Sequence, residues 1–168
     1  EVISGYSGAT PLSLGAETVG KTNSESVLNI MDGYSAGISI PDFYSFENMF
    51  LGAIPGSIGE TSALMCLIGA IILIFSGVAS WKVIVSVFAG AYFMGWVFNL
   101  FGLNEFMLIP PHYHFVMGGF AFGMVYMATD PVSSAHTHRG MWYYGILVGA
   151  MCILIRTINP AYPEGMML

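Results

Sequence analysis

Ser7-Gly8-Ala9-Thr10 offers the most accessible nucleophile in the chain. A threonine hydroxyl preceded by Gly and Ala is sterically open, so an enzyme could reach it and attach something bulky. The same mixture of small and hydroxyl residues also makes ordinary turns. Asp130, in Ala128-Thr129-Asp130-Pro131, is the second candidate. A hard cation such as Na⁺ takes oxygen ligands, and an aspartate with nearby hydroxyls and carbonyls freed at a helix end can supply them. The plainer role for Asp130 is to cap the turn before Ser133-Ser134. His112 and His114 flank Tyr113. That alternation does not put two imidazoles on one helix face, so they read as interface histidines satisfied by water or backbone. Arg156 reads as a cation snorkelling to the headgroups, with pairing to Glu164 or to a cofactor phosphate as the alternative. Cys66 and Cys152 lie in apolar runs without CxxC or His/Cys company, where a thiol acts as a small hydrophobe.

The elements that must position these residues follow from composition. Only 8% of residues are charged and mean hydropathy is +0.72, whereas a soluble domain carries about 25% charged residues. The chain is therefore expected to be an all-α integral membrane protein. Seven of its ten acidic residues, from Glu1 to Glu60, precede the first long apolar run. With four Lys and Arg in all and no basic patch, a nucleic-acid partner is not expected. The first residue is not Met, no secretory signal is present, and Gly165-Met166-Met167-Leu168 opens a further apolar segment. The sequence thus reads as part of a larger membrane protein.

Residues 1–60 form a polar to mixed segment punctuated by Pro11, Pro41 and Pro55, with Phe43, Tyr44, Phe46 and Phe50 suited to the headgroup zone. Residues 61–168 form the transmembrane domain. Spans are expected at about 61–81, 83–102, 112–129 and 140–158, and the start of a fifth near Glu164. The first is uncharged over its whole length, enough to cross roughly 30 Å of hydrocarbon. The third is interrupted early by Pro110-Pro111 and the two histidines, which predicts a half-helix or a helix entered from a buried loop. Asp130-Pro131 ends it, and Asn159-Pro160 ends the fourth.

Basic residues occupy two alternate connections, around Lys82 and around His136–Arg139, while Leu103–His114 has neither Lys nor Arg. Placing the basic connections in the cytoplasm puts residues 1–60, and Thr10 with them, on the opposite face. Gly119–Gly123 and Gly145–Gly149 have the spacing that lets helix backbones approach closely.

Taken together, Ser7-Gly8-Ala9-Thr10, Pro55–Glu60, Met127–Ser133 and the run from Arg156 through Asn159–Leu168 resemble a known family. It contains the B-type membrane component of the sodium-translocating NADH:quinone oxidoreductase and the related D-type component of the Rnf complex, and the match is to the C-terminal half of the former. The resemblance implies ten helices in two inverted five-helix repeats of urea-transporter type, this chain being most of the second. It implies that Thr10 carries covalent FMN through a phosphoester, with Ser7, Gly8 and Ala9 completing the motif. It further implies riboflavin and ubiquinone as cofactor and substrate, held largely by residues outside this chain. Partners would be the other subunits of a redox complex, the bilayer and Na⁺, in a bacterial inner membrane with Thr10 periplasmic. His114 becomes a candidate hydrogen-bond partner of the flavin, and Asp130 a candidate for the cytoplasmic mouth of the Na⁺ path. Two competing functions are a urea-transporter-like channel and a structural membrane subunit without a redox role.

Overall fold

The computed structural model describes residues 46–53, 61–101 and 110–158, and among these all regular structure is helical. Thr10 and its motif lie outside the described residues, as do Glu60, Glu105 and Glu164. The described elements are α1 (Phe46–Leu51), α2 (Ala63–Phe75), α3 (Trp81–Phe101), α4 (Tyr113–Val116), α5 (Phe120–Phe122) with a π-helical turn at Gly123–Met127, and α6 (His138–Ile158).

Helix α2 is capped by Ser62, whose hydroxyl accepts from the Met65 N–H at 3.3 Å. It does not continue to residue 81. The Ser76 hydroxyl bonds back to the Leu73 carbonyl at 3.0 Å, and Gly77 takes φ 75°, a left-handed conformation that ends the helix. Within the first span expected at 61–81, the continuous helix is 13 residues long, about 20 Å of rise. Lys82 lies in the first turn of α3.

Two described helices are long and apolar enough to cross a membrane, α3 and α6. They run parallel. Lys82 Nζ sits 2.9 Å from His138 Nδ1, and the Ser86 hydroxyl donates to the Met141 carbonyl at 3.2 Å. Further along, a Cβ on Gly90 would lie 2.7 Å from Ile146 Cα, and one on Gly149 would lie 2.7 Å from the Ala91 nitrogen. Contacts thus advance in the same direction on both helices. Gly145 and Gly149 make the close approach that their spacing predicted, because only hydrogen fits against Ser86 and the Val87 carbonyl.

Between these helices the chain returns as a broken segment. Pro111 and His114 lie against Gly95 near the end of α3, whereas Thr129 and Pro131 share a cleft with Ala79 and Ser80 near its start. The break falls at Gly118 (φ 68°), between α4 and α5. The interruption expected in the third segment is present, but it lies inside the apolar run and not ahead of Phe115. The Ala128 N–H then bonds the Gly123 carbonyl at 2.8 Å, the five-residue step of a π turn. Helix α2 runs alongside this segment: Ala63 and Val116 line one cavity at one end, and the Tyr126 ring covers Gly69 further on. Among the described residues, α2 and the broken segment therefore run one way and α3 and α6 the other. Val83, Val87, Phe120, Val125 and Ile153 fill the space between them.

Candidate functional site

The bundle has two chemically distinct ends. Where α3 and α6 begin, Lys82, His136, His138 and Arg139 gather, flanked by the exposed rings of Trp81 and Tyr143. Asp130 is at this end. Its Oδ2 accepts from the Ser133 amide at 3.1 Å and from the Ser133 hydroxyl at 3.0 Å. The capping role anticipated for it is thus built. Beside it opens a cleft of about 360 Å³, with Ser80, Thr129, Ser134 and His136 in its walls. Thr129 is buried and spends its hydroxyl proton on the Val125 carbonyl, one turn back. No group of three or more metal-ligating side chains occurs among the described residues.

The opposite end is aromatic. Helix α1 is anchored there by Gly52 (φ 88°), which packs directly on Ser62, and by Phe46, whose ring meets His112 and Tyr113 edge-on at 5.7 and 5.6 Å. A cavity of about 250 Å³ lies between α1, the start of α2 and the broken segment, lined almost wholly by apolar groups with His112 as its polar member. His114 points elsewhere. Its side chain is 2% exposed and packs inside the bundle near Gly95.

Arg156 does not snorkel. It is 2% exposed, its Nη1 donates to the His114 carbonyl at 3.0 Å, and its guanidinium stands 5.9 Å from the Phe120 ring. The short α4 ends without a following turn, and Arg156 takes up one of the carbonyls so exposed. Its position near the end of an apolar run made a headgroup contact the natural reading. The carbonyl that captures it is 42 residues away and carries no local signal.

Comparison with known proteins decides the family. A model of the NQR2, RnfD, RnfE family matches residues 2–168. The chain belongs to this family. Relatives named as the B-type component of Na⁺-translocating NADH-quinone reductase include one from Klebsiella pneumoniae (strain 342), 50% identical over 98% of this chain. One from Yersinia pestis is 49% identical over 98%, and one from Neisseria meningitidis serogroup A is 44% identical over 99%. The chain spans 37–38% of the length of these relatives. Family membership accords with the two membrane-length helices.

Proposed function

We propose that this chain is the portion of the B-type component of a Na⁺-translocating NADH:quinone reductase that carries covalent FMN on Thr10 and builds one repeat of its membrane bundle. The observation that carries the reading is the 50% identity, over 98% of the chain, to a relative bearing that name. The alternating passes support a count of four spans, with a fifth starting near Glu164, in a repeat of urea-transporter type. The short α2 and the broken segment span with help from their neighbours, since irregular backbone at membrane depth is tolerated where protein covers it.

Topology follows from the two ends. Lys82, His136, His138 and Arg139 share one end, which the positive-inside rule assigns to the cytoplasm. Helix α1 packs at the other, which supports the reading that the segment before it, with Thr10, is on the periplasmic side of the inner membrane.

When bound, FMN supplies the electron-transfer chemistry, linking a neighbouring flavin subunit to riboflavin and ubiquinone. The protein does the positioning. The Thr10 hydroxyl, left open by Ser7, Gly8 and Ala9, holds the group by a phosphoester so that it cannot diffuse away. Of the two histidines, His112 is on the aromatic cavity. A hydrogen bond from His114 would require the flavin to reach the interior. At the cytoplasmic end Asp130, with the hydroxyls of the adjoining cleft, serves as the mouth of the Na⁺ path. Replacing Thr10 by Val in the complete complex tests the assignment. The subunit should lose its in-gel flavin fluorescence, and Na⁺-dependent quinone reduction should fall by at least tenfold. An unchanged fluorescent band would refute it.

A further inference from the structure

We propose that the outer face of α3 is the docking surface for a transmembrane helix from the remainder of the same subunit. The inference rests on the reading above that this chain is one portion of a longer subunit, and it assigns the surface on which the rest packs. Its own support is the spacing and chemistry of that face.

Val85, Ala89, Tyr92, Trp96 and Asn99 are all exposed. They follow one another at steps of four, three, four and three residues, the spacing of a helix that meets a second helix along one seam. Phe88 and Phe93 stand on either side, and the small Ala89 leaves a notch between larger side chains. The result is a groove of about 600 Å³ whose lining residues all belong to α3. No described element supplies its second wall.

Depth separates a protein partner from lipid here. Tyr92 stands at the middle of the 21 residues of α3, about 16 Å of rise from its start, and is 47% exposed. Its ring stacks on Phe88 with centroids 6.3 Å apart, and among the described residues its hydroxyl has no hydrogen-bond partner. A phenol facing hydrocarbon at that depth leaves its hydroxyl unsatisfied, and tyrosines accordingly gather at the headgroups. A neighbouring helix removes the cost by offering an acceptor. The other exposed faces differ. At mid-depth α2 presents Ile68, Ile71 and Ile72, and α6 presents Ile146, Leu147 and Met151, side chains that lipid satisfies fully.

Length points to the source of the partner helix. This chain spans 37–38% of the relatives it matches, so more than half of such a subunit lies outside it. A helix on the same polypeptide is present once per bundle and at high effective concentration, ahead of any separate subunit or second copy.

The test places the photo-crosslinker benzoylphenylalanine at position 93 or 96 in the full-length subunit within its native complex. Position 147, on the aliphatic face of α6, is the control. Both α3 exchanges replace one large aromatic side chain by another, and linked peptides are identified by mass spectrometry after irradiation. The expected result is linkage from 93 and 96 to a peptide of the same subunit outside residues 1–168, at least fivefold above position 147. Lipid adducts alone, or linkage to another subunit or to α3 of a second copy, would overturn the proposal. Equal yields at 93, 96 and 147 would also overturn it. A subunit whose intact mass equals that of residues 1–168 would instead overturn the longer subunit, and the docking with it. If one probe prevents assembly, the other reads the same face. Tyr92→Phe gives an independent readout, because it keeps the ring and removes the hydroxyl. The thermal midpoint of the complex should fall below that of Tyr143→Phe, whose hydroxyl lies at the headgroup end of α6. A midpoint unchanged or raised by Tyr92→Phe would mean that the hydroxyl faces lipid, and would contradict the docking.

Discussion

The guanidinium of Arg156, near the end of α6, donates at 3.0 Å to the main-chain carbonyl of His114, four residues before the break at Gly118. The bond ties a continuous helix to a discontinuous one. Hydrogen bonds from charged donors are worth about 1.5–3 kcal/mol where water is excluded, and helix-to-helix bonds in membranes average about 0.6 kcal/mol. Arg156→Leu is therefore expected to destabilise the full-length subunit by about 1–3 kcal/mol. Arg156→Lys keeps the charge but not the planar fork, and should recover part of the loss. Denaturant titration of the subunit in detergent checks both. Stability equal to wild type in Arg156→Leu would show that the bond does not hold the break.

Glycines in different surroundings should respond in a graded way to an added methyl group. At Gly149 a Cβ would lie 2.7 Å from the Ala91 nitrogen and would press on the Val87 carbonyl, both rigid backbone. Gly149→Ala should cost about 1–3 kcal/mol by forcing the helices apart. At Gly95 the nearest atom would be 3.4 Å away, so Gly95→Ala should stay within about 0.5 kcal/mol of wild type. Gly77 has open space around it but φ 75°, so Gly77→Ala should cost about 1–2 kcal/mol through backbone strain alone. Melting midpoints should be lowered in Gly149→Ala and Gly77→Ala, with Gly95→Ala nearest wild type.

Much of the α3–α6 seam was legible in the sequence. Gly145 and Gly149 announce a close approach by spacing, and the ends of α3 and α6 fall within two residues of those read from the apolar runs. The shortened α2 was legible in principle, since Ser76-Gly77 sits inside the run. Uniform apolarity outweighed it, because hydropathy cannot distinguish a helix from a turn at the same depth. That α3 and α6 pair in parallel, and that Arg156 finds the His114 carbonyl, depends on contacts more than 40 residues apart. At the sites, the Asp130 cap was readable from Ser133 three residues on. The aromatic cavity was not, because Phe46, Phe88 and Phe115 belong to three separate elements.

Asp130 carries two readings that a conservative change separates. Asp130→Asn keeps an oxygen able to accept from the Ser133 amide and hydroxyl, but removes the charge. Folding should be nearly unaffected, while the Na⁺ concentration giving half-maximal quinone reduction should rise severalfold. Asp130→Ala should add a stability loss of about 0.5–2 kcal/mol from the missing cap. Sodium titrations of both variants decide the matter. An unchanged Na⁺ response in Asp130→Asn would leave Asp130 as a turn cap only.

Topology is open to direct labelling. Thr137→Cys, in the basic connection, should react with an impermeant maleimide only in inside-out vesicles. Glu47→Cys, exposed on α1, should react only in right-side-out ones. Labelling of both from one side would contradict the alternating passes.

Whether this chain carries the flavin is decided by mass spectrometry of the tryptic peptide ending at Lys21, taken from the native membrane complex. The expected result is a mass increase equal to esterified FMN, with fragment ions placing it on Thr10. A peptide recovered wholly unmodified would contradict the assignment of Thr10 as the flavin carrier.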